Sequence, residues 1–206
     1  MVNNNALALY NNYLKPLGEL PKHISFEQYQ ELRSKISGYY DNLNMPNKRG
    51  AFLKVRDKLL IDFLFATGGR IFDVVMVKKE NINFETKKLS FYIKKSKKNI
   101  IINLDNALCY DILSYVQQYQ IKDRLFNITS TAAWYILKKF GKLVGINNLH
   151  PHMMRHGLAL YLMSQGCPIP VISYRLGHSD VRITMQMYLK VTPEIENQFI
   201  QNIQWR

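Results

Sequence analysis

This 206-residue sequence is short of cysteine, of acidic side chains and of long apolar runs. Its two cysteines, Cys109 and Cys167, lack CxxC spacing. That excludes a disulfide framework, fits a reducing compartment, and leaves both as small, partly buried apolar residues. No apolar run approaches the ~20 residues that a membrane span needs, and the most hydrophobic stretch, Leu59 to Ala66, is interrupted by Asp62. Insertion into a membrane is therefore not expected. Met1-Val-Asn-Asn-Asn has neither a basic region ahead of an apolar block nor a small-residue cleavage site, so no secretory signal is read and a cytoplasmic location is expected. There is no internal repeat and no glycine-rich phosphate loop of the nucleotide-binding kinds.

The scarcity of acid leaves a large excess of base. Lys and Arg number 28 against 15 Asp and Glu, a formal net charge of +13, which nucleic acid or an anionic membrane surface would attract. With 47% apolar side chains the chain can bury one core, with at most a small appendage. Residues 1–22, Asn-rich and carrying Pro16, Gly18 and Pro21, read as an arm or linker. Ser25 with Gln28 three residues on resembles a capping box and opens a helix through Tyr29, Leu32 and Ile36, followed by a polar loop from Asp41 to Lys48. Between Ala51 and Ala66, Phe52, Val55, Leu59, Leu60, Phe63 and Leu64 recur at helical spacing, and Gly68-Gly69 supplies a stop.

From Asn81 the pattern changes to β-rich runs, Asn81 to Phe84, Leu89 to Ile93 and Asn99 to Leu104, which predict a small three-stranded antiparallel sheet. Helical spacing returns over Asp105 to Tyr119, Ser130 to Val144, Pro151 to Ser164, Ile169 to Leu176 and Val181 to Val191. A last helix, capped by Thr192 with Pro193 at its first position, carries Ile195, Phe199 and Ile203 on one face. The expected class is mainly α with one small sheet, divided into the arm (1–22), a folded domain (23–191) and a C-terminal helix or tail (192–206).

The chemistry-bearing residues gather late in the chain. His152-Met-Met-Arg155-His156 is followed by Leu176-Gly177-His178 and then by Tyr188. A phenol, with an unperturbed pKa near ~10, is a poor nucleophile at neutral pH and needs a proton acceptor and cationic surroundings. Histidine and arginine supply them; a tyrosine alone reads equally well as a packing residue. His152 and Arg155 stand at i, i+3 on a helix and share a face, although an isolated HxxR also describes a surface arginine beside a helix-capping histidine. Arg70, just past Gly68-Gly69, is either a salt-bridge partner of Asp73 or a phosphate-binding arginine held by that carboxylate. Lys94, Lys95, Lys97 and Lys98 form a basic hairpin tip that keeps an edge strand soluble, touches a DNA backbone, or lends one ammonium to a leaving oxygen. A zinc reading of His152 and His156 at i, i+4 fails on Met153, which stands where HExxH has its glutamate, and on Arg155, a fixed cation beside the metal.

In this order Arg70, Lys95, His152-x-x-Arg155, His178 and Tyr188 resemble the catalytic set of the tyrosine recombinases, the phage-integrase and Xer-like family. The resemblance runs from about Leu20 to the C-terminus. It includes Ala66-Thr-Gly-Gly-Arg-Ile71, the hairpin ending Ile102-Asn-Leu104, Leu149-His-Pro-His-Met-Met-Arg-His156 and Gly166 to His178. Counting back from Leu104, the family's hairpin lysine aligns best with Lys95, with Lys98 next.

The resemblance implies a catalytic-domain fold of that family and a reaction on double-stranded DNA that needs no metal or other cofactor. Tyr188 would attack a phosphodiester to give a 3′-phosphotyrosyl link and a free 5′-hydroxyl. Arg70 and Arg155 would hold the non-bridging oxygens, and His178 would donate to them. His152 would accept the phenol proton and Lys95 would protonate the leaving oxygen, while Lys94, Lys97 and Lys98 touch DNA and Asp73 and His156 support. It also implies a homo-oligomer, a tetramer on DNA, with the terminal helix docked on a neighbour or in cis. Gly69 and Gly157 replace bulkier or hydroxyl residues common in the family, which is expected to loosen local packing. The segment before Leu20 is too short for the separate helical DNA-clamping domain of most relatives. That leaves a catalytic fragment or a compact recombinase similar to those that invert fimbrial promoter segments, and Met1 favours the second. Type IB topoisomerase-like relaxation and a non-cleaving DNA-binding regulator are the rival functions.

Overall fold

The computed structural model describes residues 21–43, 48–178, 180–182 and 184. The arm up to residue 20, the helix expected at 192–206 and Tyr188 lie outside the described residues, as does most of the helix expected at 181–191.

Helix α1 (Phe26–Asn42) starts on the capping box foreseen in the sequence: the Gln28 amide donates to the Ser25 hydroxyl at 3.2 Å, and the Ser25 amide donates to Oε1 of Gln28 at 3.0 Å. It buries Leu32, Ile36 and Tyr40 against α2 (Lys48–Thr67), the central helix. From Leu59 to Phe65 every residue of α2 is buried, the mark of a helix packed on all sides. Asp62 survives inside this run because α1 brings partners to it. The Tyr29 hydroxyl donates to its carboxylate at 2.8 Å and the Arg33 Nε lies 2.5 Å away. A buried carboxylate without them would be strongly destabilising.

The sheet consists of β1 (Ile82–Asn83), β2 (Lys88–Ile93) and β3 (Lys98–Asn103), antiparallel in the order β1-β2-β3. Leu89 pairs with Ile102 and Ile93 with Lys98, so Leu89, Phe91, Ile93, Ile100 and Ile102 face the core while the tip Lys94 to Lys97 projects beyond the last pair. Among the described residues two short helices do not follow from the sequence pattern: α3 (Ile71–Val75), with Arg70 as its N-cap, and a 3-10 turn over Lys79–Asn81, both too short to display a period. Then follow α4 (Asn106–Gln118), α5 (Ser130–Gly141), α6 (Pro151–Ser164) and α7 (Ile169–Leu176). Side chains of Asp105 and Thr129 cap α4 and α5. The α5 pattern read as far as Val144 ends as α-helix at Gly141 and closes in a 3-10 turn over Lys142–Val144.

The expectation of loose packing at the two unusual glycines is corrected. A Cβ at Gly69 would come within 2.6 Å of the Phe91 ring, and one at Gly157 would collide with the carbonyl oxygen of Ile24. Glycine stands at these positions because neighbouring elements have closed on the backbone. Ile24, fully buried, also donates its amide to the Met153 carbonyl at 3.3 Å, so the chain entering α1 lies directly on α6. Among the described residues no helix is long and apolar enough to cross a membrane.

Candidate active site

The site begins where α2 stops. Gly68 has φ of +58°, a left-handed conformation that a residue with a Cβ adopts at a cost, and it turns the chain sharply into Arg70. Gly177, φ +63°, does the same at the end of α7 and turns the chain into His178. Between the two lies Arg155 on α6, only 6% exposed. Its Nη1 donates to the Gly68 carbonyl at 2.7 Å and its Nη2 to the Leu176 carbonyl at 2.5 Å. Two of the five guanidinium donors are thus spent joining the turn before Arg70 to the turn before His178. The surface-arginine alternative for this residue is thereby excluded.

A second arginine reinforces the joint. Arg175 on α7 donates from Nε and Nη2 to the Ala66 carbonyl, at 2.9 and 2.7 Å, and from Nη1 to the Asn103 carbonyl at 3.3 Å. The C-terminal carbonyls of α2 carry the negative end of the helix dipole, which favours cations there.

Arg70, His152 and Arg155 line one cleft of about 500 Å3, together with Ile71, Phe72, Trp134 and Pro151. Burial, then the charge of Arg70, pushes the Arg155 guanidinium down to about 10, still a cation at neutral pH. Desolvation, then Arg155, holds His152 below the usual histidine range. His178 is not on the wall of this cleft. Its Nδ1 lies 2.6 Å from the Thr184 hydroxyl, and burial followed by the charges of Arg155 and Arg70 lowers it to about 4. His156, which is not among the residues lining the cleft, is also lowered to about 4, by burial and then by His152, and its Nδ1 is buried without a hydrogen-bond partner among the described residues.

Asp73 lies close enough to feel the charge of Arg70 without being in contact with it. Among the described residues no ion pair joins it to Arg70; instead its Oδ1 accepts from the Lys94 amide at 3.2 Å, and its Oδ2 is buried without a partner. The carboxylate therefore grips the base of the hairpin, and burial raises its pKa. Lys94, Lys95, Lys97 and Lys98 are all exposed, and the charge of Lys95 is felt by both His152 and His178, which puts the tip on the site's side of the molecule. Lys94 stands 4.4 Å over the Phe72 ring. Among the described residues no three of His, Cys, Asp and Glu converge to hold a metal ion. Thr184, Phe72 and Trp134 carry no signal in the sequence, since a hydroxyl six residues from its histidine and aromatics on separate helices leave no local pattern; Arg175 stands within the Gly166 to His178 motif, but its contacts to Ala66 and Asn103 are not readable there.

The phage integrase family model matches residues 39–194, about three quarters of the sequence and inclusive of Tyr188. The chain belongs to the phage integrase family. Among its relatives in that family is tyrosine recombinase XerA of Pyrococcus horikoshii, 28% identical over 184 residues, 84% of this chain and 60% of that protein. The chain thus spans well under two thirds of this relative's length. Its fold matches a crystal structure of XerA recombinase with a TM-score of 0.70 at 18% identity, covering 93% of this chain and 67% of that one. It also matches XerH site-specific recombinase bound to its difH substrate, with a TM-score of 0.67 at 20% identity, over 83% of this chain and 51% of that one. This tyrosine recombinase catalytic-domain fold is helical around one three-stranded antiparallel sheet, as the sequence suggested.

Proposed function

We propose that this integrase-family chain breaks and rejoins double-stranded DNA as a site-specific recombinase. The observation that carries the reading is the fixed, buried Arg155 sharing a cleft with Arg70 and His152 and tied by its own hydrogen bond to the turn bearing His178. Two guanidiniums at one point suit the non-bridging oxygens of a phosphodiester, and they stabilise charge that builds there in the transition state. Tyr188 attacks phosphorus, its phenolic proton passing to His152; the 5′-oxygen leaves as a hydroxyl with a proton from Lys95, and a 3′-phosphotyrosyl bond remains. His178 donates to a non-bridging oxygen. The exposed Lys94, Lys97 and Lys98 lie along the DNA backbone. Because the covalent bond conserves the energy of the broken one, a 5′-hydroxyl from a second duplex reverses the step and exchanges strands without a metal or ATP. Four copies on DNA, with residues 192–206 passed to a neighbour, complete the proposed assembly.

The test uses a duplex selected by binding to this protein and nicked beside the scissile phosphate, so that cleavage is trapped as a 3′ adduct. Wild type forms the adduct and Tyr188→Phe does not; Arg70→Ala or Arg155→Ala slows it by roughly 10² or more. Binding without any adduct overturns the enzymatic reading, and relaxed circles without recombinant joints overturn strand exchange.

A further inference from the structure

The cleft beside the two arginines is larger and more apolar than a phosphate requires. At about 500 Å3 it falls within the range of small-molecule pockets, about 300–1,000 Å3. Beyond Arg70 and Arg155 its walls are Ile71, Phe72, Pro151 and Trp134. Phe72 is 42% exposed and Trp134, edge-on to the Tyr135 ring, is 36% exposed, so two large rings on different helices are partly open to solvent at the same cleft. Each already carries a cation: Lys94 lies 4.4 Å from the Phe72 centroid and Lys138 lies 5.1 Å from the Trp134 centroid.

A ligand matching this wall has an anion at one end, a flat apolar body next to it and further negative charge around it. A nucleotide within a DNA strand has all three. A lipid sets its anion beside a flexible tail and not a flat ring, and a peptide carboxylate lacks the repeating charge on either side that a DNA strand brings to the exposed lysines. We propose that the cleft takes the nucleobase next to the phosphate held by Arg70 and Arg155, unstacked from the duplex and laid against the Trp134 indole. The inference rests on the proposed placement of a phosphodiester at the arginine pair, and it adds a device that opens the helix beside the break. Unstacking one base is opposed by lost stacking and pairing, and contact with an aromatic face recovers much of that loss.

The measurement is the affinity of the cleavage-inert Tyr188→Phe protein, with and without Trp134→Ala, for the selected duplex. That duplex is used intact or with a single abasic nucleotide at each position flanking the scissile phosphate. At one flanking position the two changes are coupled: Trp134→Ala weakens binding of intact DNA roughly tenfold and has little effect on the duplex lacking that base. Trp134→Tyr, which keeps a stacking face, restores most of the loss, and thermal melting of each variant shows that the exposed position leaves the fold unaltered. Equal weakening on every duplex overturns the proposal, because the indole then acts on DNA without regard to the flanking base; no weakening on any duplex overturns it as well. The functional reading is scored apart, by the adduct that the Tyr188 protein forms: adduct without coupling defeats only the base site, and failure to bind any duplex defeats both.

Discussion

The fully buried Thr184 hydroxyl lies 2.6 Å from the His178 Nδ1, where a hydroxyl either donates to a bare Nδ1 or accepts from Nδ1–H; the role proposed for His178 requires the first, with the ring proton on Nε2. Only the Nε2–H form can donate to a phosphoryl oxygen while staying neutral. Thr184→Val keeps the shape and removes the hydroxyl, so single-turnover cleavage is expected to fall by about 10², with DNA affinity nearly unchanged and Thr184→Ser restoring activity. An unimpaired valine variant would show that another group orients the ring. Arg175 acts at the same scale, its guanidinium donating to backbone carbonyls and not to another side chain. Arg175→Met retains the apolar stem but strips donors from the Ala66 and Asn103 carbonyls. A loss of about 1–3 kcal/mol in urea unfolding is expected, together with slower cleavage, because α7 then no longer holds His178 against the end of α2.

At the scale of elements, the close approach of the α1 entry to α6 and the open side of α1 make opposite predictions for one kind of substitution. Gly157→Ala drives a methyl onto the Ile24 carbonyl and is expected to cost about 1–3 kcal/mol. Gly38, exposed within α1 with no atom inside 4 Å of a new Cβ, gains about 1 kcal/mol as alanine, since glycine is the poorer helix former. Parallel thermal melts separate the two. These elements also mark how far the sequence could be read. The α1 cap, the inward alternation of Leu89, Phe91 and Ile93, and the helix bearing His152 and Arg155 follow from local chemistry and period, and all were legible. The five-residue α3, the Arg155 bridge to Gly68 and Leu176, and the Asp73 contact to the Lys94 amide depend on segments distant in sequence. No local pattern encodes such contacts. The glycines mislead for the same reason: a missing side chain looks like slack until the element filling the space is known.

For the whole molecule, a +13 chain that lines one cleft with two arginines and sets two further imidazoles, His156 and His178, within reach of their charge couples proton binding to folding and to DNA. His156 and His178 titrate near 4 when folded, against an ordinary value of 6.5. Between those values the unfolded chain holds protons that the folded chain does not, so stability rises with pH through this window and is lost as pH falls from about 6.5 to about 4. The melting temperature should follow that course, with a shallower slope in His156→Gln. DNA acts on one histidine more than the other. The first cause at His178 is burial, which a bound duplex does not relieve, but the next two are the charges of Arg155 and Arg70, which a phosphate between them neutralises. Binding must then raise the His178 pKa and draw a proton from solution at pH values between the free and bound values. By linkage the complex tightens as pH falls through that range, in addition to the weakening by salt that any multi-phosphate contact shows. Calorimetric titration near pH 5 in two buffers of different ionisation enthalpy measures the uptake directly. It is expected in the Tyr188→Phe protein and reduced in the same protein carrying His178→Gln. Uptake that is zero, or unchanged by the glutamine, would mean that no phosphate sits between Arg70 and Arg155 in the complex.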